Sequence, residues 1–387
     1  MWHFVSPKIV FGEGALGGLD EVSGRRALVV TDTTLVKLGL VERVAFHLGR
    51  AGVEIHTFEE VEPDPGVETV LKGVALAQEI EPDWIVGVGG GSPMDAAKAI
   101  WVLYERPDLE PAELNPFVEL GLRQKARLIT IPTTSGTGAE VTWAIVLTDP
   151  VEQRKMGLGN RENVADLAIV DPVMAAGMPP WLTADTGLDA LTHAIEGYAC
   201  TWHTDLTDGL CAKAARDVMR YLSRAVEDGS DREARERMHN AATCAGLGFG
   251  NALASLAHAM GHALGASFHV PHGRAVGLFL PYTIEYAAKG AAERFADLAR
   301  LLGCAGEGAE DSARALAAAV RSLADEIGSF RGIADLGIDR EAFEGKMEKL
   351  VDDAFNDTQM VTAPRCPTYA ELRQLFLYAF DGHEVDF

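Results

Sequence analysis

Basic residues are scarce in this chain. Lysine and arginine together number 34 against 57 aspartates and glutamates, giving a formal net charge of −23. A surface that acidic repels phosphodiester backbones and anionic lipid headgroups, so neither nucleic acid nor membrane is an expected partner. Cysteine is sparse as well. Cys200, Cys211, Cys244, Cys304 and Cys366 are scattered, with no Cys-x-x-Cys pair among them. That excludes a disulfide framework and a zinc ribbon, and it suits a reducing cytoplasm. No basic, apolar, small-residue leader opens the sequence, so secretion is not expected. A uniformly apolar run of membrane-spanning length is missing too. The weakly polar stretch 241–265 comes nearest, but it is rich in Ala and Gly and holds two histidines. It reads as one buried helix whose small residues permit close packing. Internal repeats and long low-complexity segments are also absent.

What is present is an ordinary globular composition, 48% apolar over 387 residues, and a length that favours two domains. The first half alternates. Residues 26–31, 53–58, 83–88 and 127–131 read as strands, and 33–50, 66–79 and 93–103 as helices, with further strands at 143–148 and 167–170. This β/α alternation predicts a parallel sheet with helices on both faces. After Pro179-Pro180 strand-like runs nearly vanish, and helical patterns such as 292–302 and 312–327 take over. The expected division is therefore an α/β domain over 1–180 and an all-helical domain over 181–387.

Two loops in the first half invite a nucleotide. Trp84-Ile85-Val86-Gly87-Val88-Gly89-Gly90-Gly91-Ser92-Pro93-Met94-Asp95 reads as strand, glycine turn and helix start. Gly89, Gly90 and Gly91 let the backbone approach a pyrophosphate, and a helix N-terminus offers N–H donors. Ser92 is the expected N-cap, Pro93 the first helical residue and Asp95 an acidic capping-box partner. The pattern is neither a full Gly-x-Gly-x-x-Gly fingerprint nor a Walker loop, and a ligand-free tight turn is the alternative. The second loop, Pro132-Thr133-Thr134-Ser135-Gly136-Thr137-Gly138-Ala139-Glu140, follows a strand and is dense in hydroxyls. It suits ribose or phosphate oxygens, or else an ordinary Ser/Thr turn. Asp32 ends the first of these strands, placed to bond a ribose and repel a 2′-phosphate, or to cap the next helix.

The second half carries a metal-binding pattern. Asp189 and His193 stand four apart in Thr186-Gly187-Leu188-Asp189-Ala190-Leu191-Thr192-His193-Ala194-Ile195-Glu196, which reads as helix, so both side chains leave one face. His258 and His262 repeat the step, and His272 follows in a Pro271-His272-Gly273 turn. Asp189, His193, His258 and His272 supply one carboxylate and three imidazoles, a donor set for Fe²⁺, Zn²⁺ or another divalent ion. A lone buried histidine is usually a packing residue; two pairs at helical spacing are harder to read that way. Glu196, one turn after His193, either orients a ligand or packs on the helix. His269 suggests a structural or surface role. His3, His47, His56, His203 and His239 suggest nothing beyond surface or packing.

The sequence resembles the iron-containing (group III) alcohol dehydrogenase family over essentially its whole length. The matching motifs are Gly89-Gly90-Gly91-Ser92-Pro93-Met94-Asp95-Ala96-Ala97-Lys98, the loop from Pro132 to Glu140, Met178-Pro179-Pro180, the run from Asp189 to Glu196, and Pro271-His272-Gly273. The resemblance implies a dehydroquinate-synthase-like fold, with an N-terminal dinucleotide-binding domain, an all-helical C-terminal domain and the active site in the cleft between them. Asp189, His193, His258 and His272 match the metal ligands. His262 matches a histidine near the nicotinamide implicated in catalysis. Asp32, Asp64, Gly90, Gly91, Ser92, Asp95, Thr133, Thr134, Ser135, Gly136 and Thr137 fall on the cofactor side. Lys155 matches a lysine near the nicotinamide ribose, and Phe249 an aromatic on the substrate side. The chain departs from the family near its end. Ala363-Pro364-Arg365 stands where Asn-Pro-Arg is frequent, and 356–362 is hard to align. Ala144 replaces a polar residue of some relatives, which points to a less polar pocket.

The expected activity is reversible oxidation of a primary or secondary alcohol to an aldehyde or ketone. NAD is the expected cofactor on the strength of Asp32, with NADP the alternative, and Fe²⁺ the expected metal. A homodimer or larger homo-oligomer is expected. A polyol dehydrogenase of the glycerol type is the nearest alternative. A dehydroquinate-synthase-like lyase would need several cations for a phosphorylated substrate, and Arg274 is the one nearest the quartet in sequence. The intact quartet disfavours the metal-free maleylacetate reductases. A non-catalytic metal or nucleotide binder is the remaining reading.

Overall fold

A computed structural model of the protein describes residues 3–149 and 154–387. The chain forms two compact units, Met1–Gly177 and Met178–Phe387.

The N-terminal unit holds strands β1 (Lys8–Phe11), β2 (Arg26–Val30), β3 (Glu54–Phe58), β4 (Trp84–Gly89), β5 (Arg127–Pro132), β6 (Ala144–Asp149), β7 (Arg154–Gly159) and β8 (Leu167–Val170). Its helices are α1 (Thr33–Lys37), α2 (Leu40–Arg50), α3 (Val67–Ile80), α4 (Gly91–Glu105) and the short α5 (Pro172–Ala175). Six strands make one parallel sheet in the order β1-β8-β5-β4-β2-β3. β4 and β8 are buried at every residue, which is why they read as continuous apolar runs rather than alternating ones. Side chains still alternate between faces: Leu28, Ile85 and Leu128 join one core cluster, and Val29, Val86 and Ile129 the other.

Three expectations need correction in this unit. The helix read over 33–50 is two helices, broken at Gly39, whose φ of 72° ends one and starts the next. The strand read over 143–148 lies outside the parallel sheet; as β6 it pairs antiparallel with β7 in a separate hairpin. β1 and β7 were not expected at all. β1 is only four residues long, and β7 carries Arg154, Lys155 and two glycines, so neither shows a strand pattern.

The C-terminal unit is helical: α6 (Pro180–Ala199), α7 (Asp205–Glu227), α8 (Arg232–Ala252), α9 (Leu256–Phe268), α10 (His272–Leu302), α11 (Ala309–Glu326), α12 (Arg340–Gly345), α13 (Met347–Phe355) and α14 (Tyr369–Asp381). Among the described residues no helix is long and apolar enough to cross a membrane. α6 is buried from Thr183 onward except Thr186, and α7, α8, α9 and α10 pack around it. α10 reaches it closely because Gly273 has no side chain; a Cβ there would stand 2.3 Å from the Asp185 carbonyl oxygen.

The stretch 241–265 is not one helix. α8 ends at Ala252 and α9 begins at Leu256, with Leu253 at φ 77° turning the corner. His272 sits in no free turn either: Pro271 is the N-cap and His272 the first residue of α10. The helix expected over 292–302 is the far end of α10, past a kink at Ala291.

Candidate metal centre and nucleotide cradle

Helix α6 presents Asp189 and His193, α9 presents His258, and the first residue of α10 is His272. The three elements bring together ligand atoms of Asp189, His258 and His272, with the His193 ring packed against them. One Asp189 carboxylate oxygen, Oδ1, lies 3.6 Å from His193 Nδ1, 3.6 Å from His258 Nε2 and 3.5 Å from His272 Nε2. These separations exceed a good hydrogen bond, and this buried oxygen has no hydrogen-bond partner among the described residues. They match the edge of a tetrahedron, about 3.4 Å for metal–ligand bonds of about 2.1 Å. A further ring contact, His258 Nε2 to His193 Nε2 at 2.9 Å, puts two imidazole nitrogens face to face. Only a proton or a cation makes such a contact favourable. Asp189, His193 and His258 are almost wholly buried, whereas the His272 side chain keeps 35% of its surface exposed, so the open side lies at His272.

Glu196 resolves in favour of orienting a ligand. Its Oε2 lies 2.6 Å from His258 Nδ1 and accepts from the Ser255 N–H at 3.0 Å, while Oε1 accepts from Ala257 N–H at 2.6 Å. One carboxylate thus caps α9, whose own N-cap Ser255 makes no side-chain bond, and holds the His258 proton on Nδ1. His258 Nε2 is left as the ligand atom. Burial alone would lower the His258 pKa; hydrogen bonds and charge from Asp189 and Glu196 overcome it and lift the pKa to about 9. Burial likewise opposes ionisation of Asp189, yet the His193 and His272 rings hold its carboxyl well below the usual range. The site attracts positive charge, and the donor set fits a divalent ion.

In the N-terminal unit the nucleotide candidates gather at the carboxyl ends of β2, β4 and β5, neighbours in the sheet. Helix α4 begins at Gly91 with Gly90 as N-cap and no side-chain cap, so its first N–H groups are left for a ligand. This corrects the expected cap: Ser92 lies inside the helix, and its Oγ accepts from the Asp64 N–H at 3.1 Å. The two loops interlock. Thr133 N–H donates to Gly89 O at 2.9 Å, and a Cβ on Gly90 or Gly91 would come within 3.3 Å of Thr134 or Thr137. Thr134 Oγ1 is buried and has no hydrogen-bond partner among the described residues, a hydroxyl ready for a phosphate or ribose oxygen. Ser135 is buried beside it, and Gly136 continues the loop. Asp64, at φ 58°, pairs with Lys155. Asp32 caps α1 through Oδ1, accepting from Thr34 N–H at 2.7 Å and Leu35 N–H at 3.0 Å. Asp95 belongs elsewhere. Its oxygens serve the Val146 N–H at 2.9 Å and the buried Lys98 at 3.3 Å, tying α4 to the β6–β7 hairpin rather than facing the cradle.

Known proteins resemble this chain in sequence and fold. A sequence profile described as iron-containing alcohol dehydrogenase matches residues 6–172, and one described as Fe-containing alcohol dehydrogenase family, C-terminal, matches 183–380. The NADPH-dependent butanol dehydrogenase of Clostridium saccharobutylicum is 40% identical over 390 residues, covering 100% of both chains. The bifunctional aldehyde-alcohol dehydrogenase AdhE of Escherichia coli K12 is 37% identical, over 99% of this chain but 47% of its own length. The crystal structure of a 1,3-propanediol oxidoreductase superposes with a TM-score of 0.91 at 34% identity, covering 98% of this chain and 100% of that one. The chain belongs to the iron-containing alcohol dehydrogenase family.

This iron-containing alcohol dehydrogenase is accordingly a metal-dependent oxidoreductase that moves hydride reversibly between an alcohol and a nicotinamide cofactor. The residues around the quartet fall into place. Phe249 stacks on the His193 ring, 3.8 Å between centroids and 9° from parallel. His262 contacts two ligand rings without supplying a ligand atom to the cluster: it stacks on His272 at 5.3 Å and stands edge-on to His258 at 6.0 Å. His269 is exposed and closes α9 in a left-handed conformation, a structural role. One residue beside the site escaped the sequence reading. Asp357, in the stretch that resists alignment, lies 2.8 Å from His262 Nδ1. Its separation of 95 residues from that histidine leaves no spacing signal to find it by.

Proposed function

We propose that the protein interconverts small primary alcohols and their aldehydes, with NAD as the preferred cofactor and Fe²⁺ as the metal. The reading rests on one observation, the buried Asp189 oxygen ringed by three imidazole nitrogens. A divalent ion held there supplies Lewis acidity to the substrate oxygen, and the nicotinamide takes or gives the hydride. The chain's own residues do the rest. Asp189, His193, His258 and His272 hold the ion, with Glu196 fixing the tautomer of His258. His262 takes up the alcohol proton and returns it in reduction. Phe249, flat against His193, gives the substrate an apolar wall. Names of similar proteins, butanol dehydrogenase and 1,3-propanediol oxidoreductase, suit a short primary alcohol.

For the cofactor, the uncapped start of α4, Thr133 to Thr137 and Ser92 receive the phosphates and ribose, and Lys155 with Asp64 the nicotinamide side. Asp32 carries the preference for NAD: a carboxylate at the end of β2 repels a 2′-phosphate. The similar butanol dehydrogenase is NADPH-dependent, so the preference is a property to test on this chain. Five scattered cysteines with no Cys-x-x-Cys pair suit a cytoplasmic location, and we expect a homo-oligomer.

Protein purified without oxygen, stripped by a chelator and reloaded with Fe²⁺ gives the test. Turnover of 1-butanol vanishes on stripping and returns on reloading. The kcat/KM for NAD exceeds that for NADP by about tenfold or more, the effect of one like-charge contact at a partly exposed site. Undiminished turnover in metal-free protein, or a preference for NADP, overturns the corresponding part.

A further inference from the structure

His262 touches the metal quartet on one side and a carboxylate on the other. Its Nδ1 is 2.8 Å from Asp357 Oδ2, and both side chains are largely buried, 13% and 12% exposed. The second Asp357 oxygen is not idle. Oδ1 accepts from Gln359 N–H at 2.8 Å, which caps the 3-10 turn Thr358–Thr362. That turn is fastened to the corner between α8 and α9: Gln359 Oε1 accepts from Ala254 N–H at 3.2 Å, and the Thr362 hydroxyl donates to Ala254 O. Thr362 O in turn accepts from Thr201 N–H at 3.0 Å. Asp357 is therefore held by the same corner from which α9 carries His258 and His262 outward.

We infer that Asp357 is a positioning residue that fixes the Nδ1–H tautomer of His262 and leaves Nε2 as the atom that exchanges the alcohol proton. The inference rests on the proposed role of His262. A carboxylate accepts hydrogen bonds and donates none, so the hydrogen in the 2.8 Å contact belongs to Nδ1. Burial favours the neutral acid, but His262 and the Gln359 N–H keep the Asp357 carboxyl below its usual range. With Nδ1 protonated, a neutral imidazole has its lone pair on Nε2, directed away from Asp357. In the forward reaction the alcohol O–H bond breaks and its proton passes to Nε2. The electron pair stays on oxygen and forms the carbonyl as hydride leaves the carbon for the nicotinamide. The imidazolium so produced lies against a carboxylate already in place. The geometry also says what a near-isosteric change does. The Gln359 N–H demands an oxygen, so an asparagine at 357 turns its NH₂ towards His262 Nδ1. That contact requires a lone pair on Nδ1 and drives the proton to Nε2.

The test is nitrogen NMR of histidine-labelled, zinc-loaded protein, with His262 assigned by its loss in His262→Gln. In the wild type His262 shows a protonated Nδ1 and a bare Nε2; in Asp357→Asn the two exchange. The same variant keeps its metal content and nucleotide affinity, while kcat falls by about a hundredfold with KM little changed. A bare Nδ1 in the wild type overturns the inference whether or not the variant folds. So does an Asp357→Asn protein with an unchanged tautomer, or one whose kcat falls only in proportion to lost metal. Full kcat in His262→Gln would sink the proton-transfer role of His262 instead, while the tautomer exchange would still report Asp357's hold on the ring.

Discussion

A single carboxylate, Glu196, does two jobs that sequence alone leaves undivided: it caps α9 and fixes the proton of His258. Glu196→Gln keeps the shape and one acceptor but places an NH₂ among three N–H donors. The expected result is a 10- to 100-fold loss of metal affinity, roughly what removing an outer partner of a ligand costs. Competition against a fluorescent chelator measures it, and nucleotide affinity serves as the internal control. An unchanged metal affinity would make Glu196 a helix cap alone. The candidate ligands Asp189 and His193 stood out because helical spacing puts them on one face, and His258 because His258 and His262 repeat the step. Glu196 was half legible, one turn further along the same face. Asp357 was illegible, since only tertiary folding sets the contact between it and His262.

At the scale of elements, α6 is the platform and α10 the piece that must dock on it. Gly273, immediately after the candidate ligand His272, makes this possible, because a Cβ there would sit 2.3 Å from the Asp185 carbonyl oxygen and 3.2 Å from Asp189 Cβ. The obstacle is largely backbone and cannot rotate aside. Gly273→Ala therefore lifts the start of α10 and draws His272 away from Asp189. A stability loss of about 1–3 kcal/mol is expected, the usual cost of overpacking, together with weaker metal binding. Denaturant midpoints and metal titration read the two effects; a variant with wild-type values in both would show that α10 tolerates displacement. The sheet's inner strands were readable as unbroken apolar runs, and α6 as a helix. The β6–β7 hairpin and the corner at Leu253 were not. Two glycines and a lysine hide β7, and Leu253 adopts its φ of 77° without the glycine that would announce a turn.

For the whole molecule, one unit gathers the nucleotide candidates and the other the metal-ligand candidates, a partition visible in the change of texture after Pro179-Pro180. What composition did not reveal is how acid acts on the fold. His239, on α8, was read as an unremarkable packing residue, and it is indeed packed: it is 1% exposed, and burial pushes its pKa down to about 4. In the unfolded chain the same ring titrates near 6.5. The folded state thus holds it neutral while the unfolded state takes up a proton. Its contribution is fully present above about pH 6.5 and is lost as pH falls through about 4. The total is about 3 kcal/mol, a large share of a typical folding free energy. Urea unfolding of wild type and His239→Gln in metal-free buffer, compared from neutral pH to pH 4, isolates this group from the carboxylates titrating in the same window. The stability difference between the two proteins shifts by that amount across the range, at the wild type's expense on acidification. Parallel curves would mean that His239 charges as readily inside the fold as outside it.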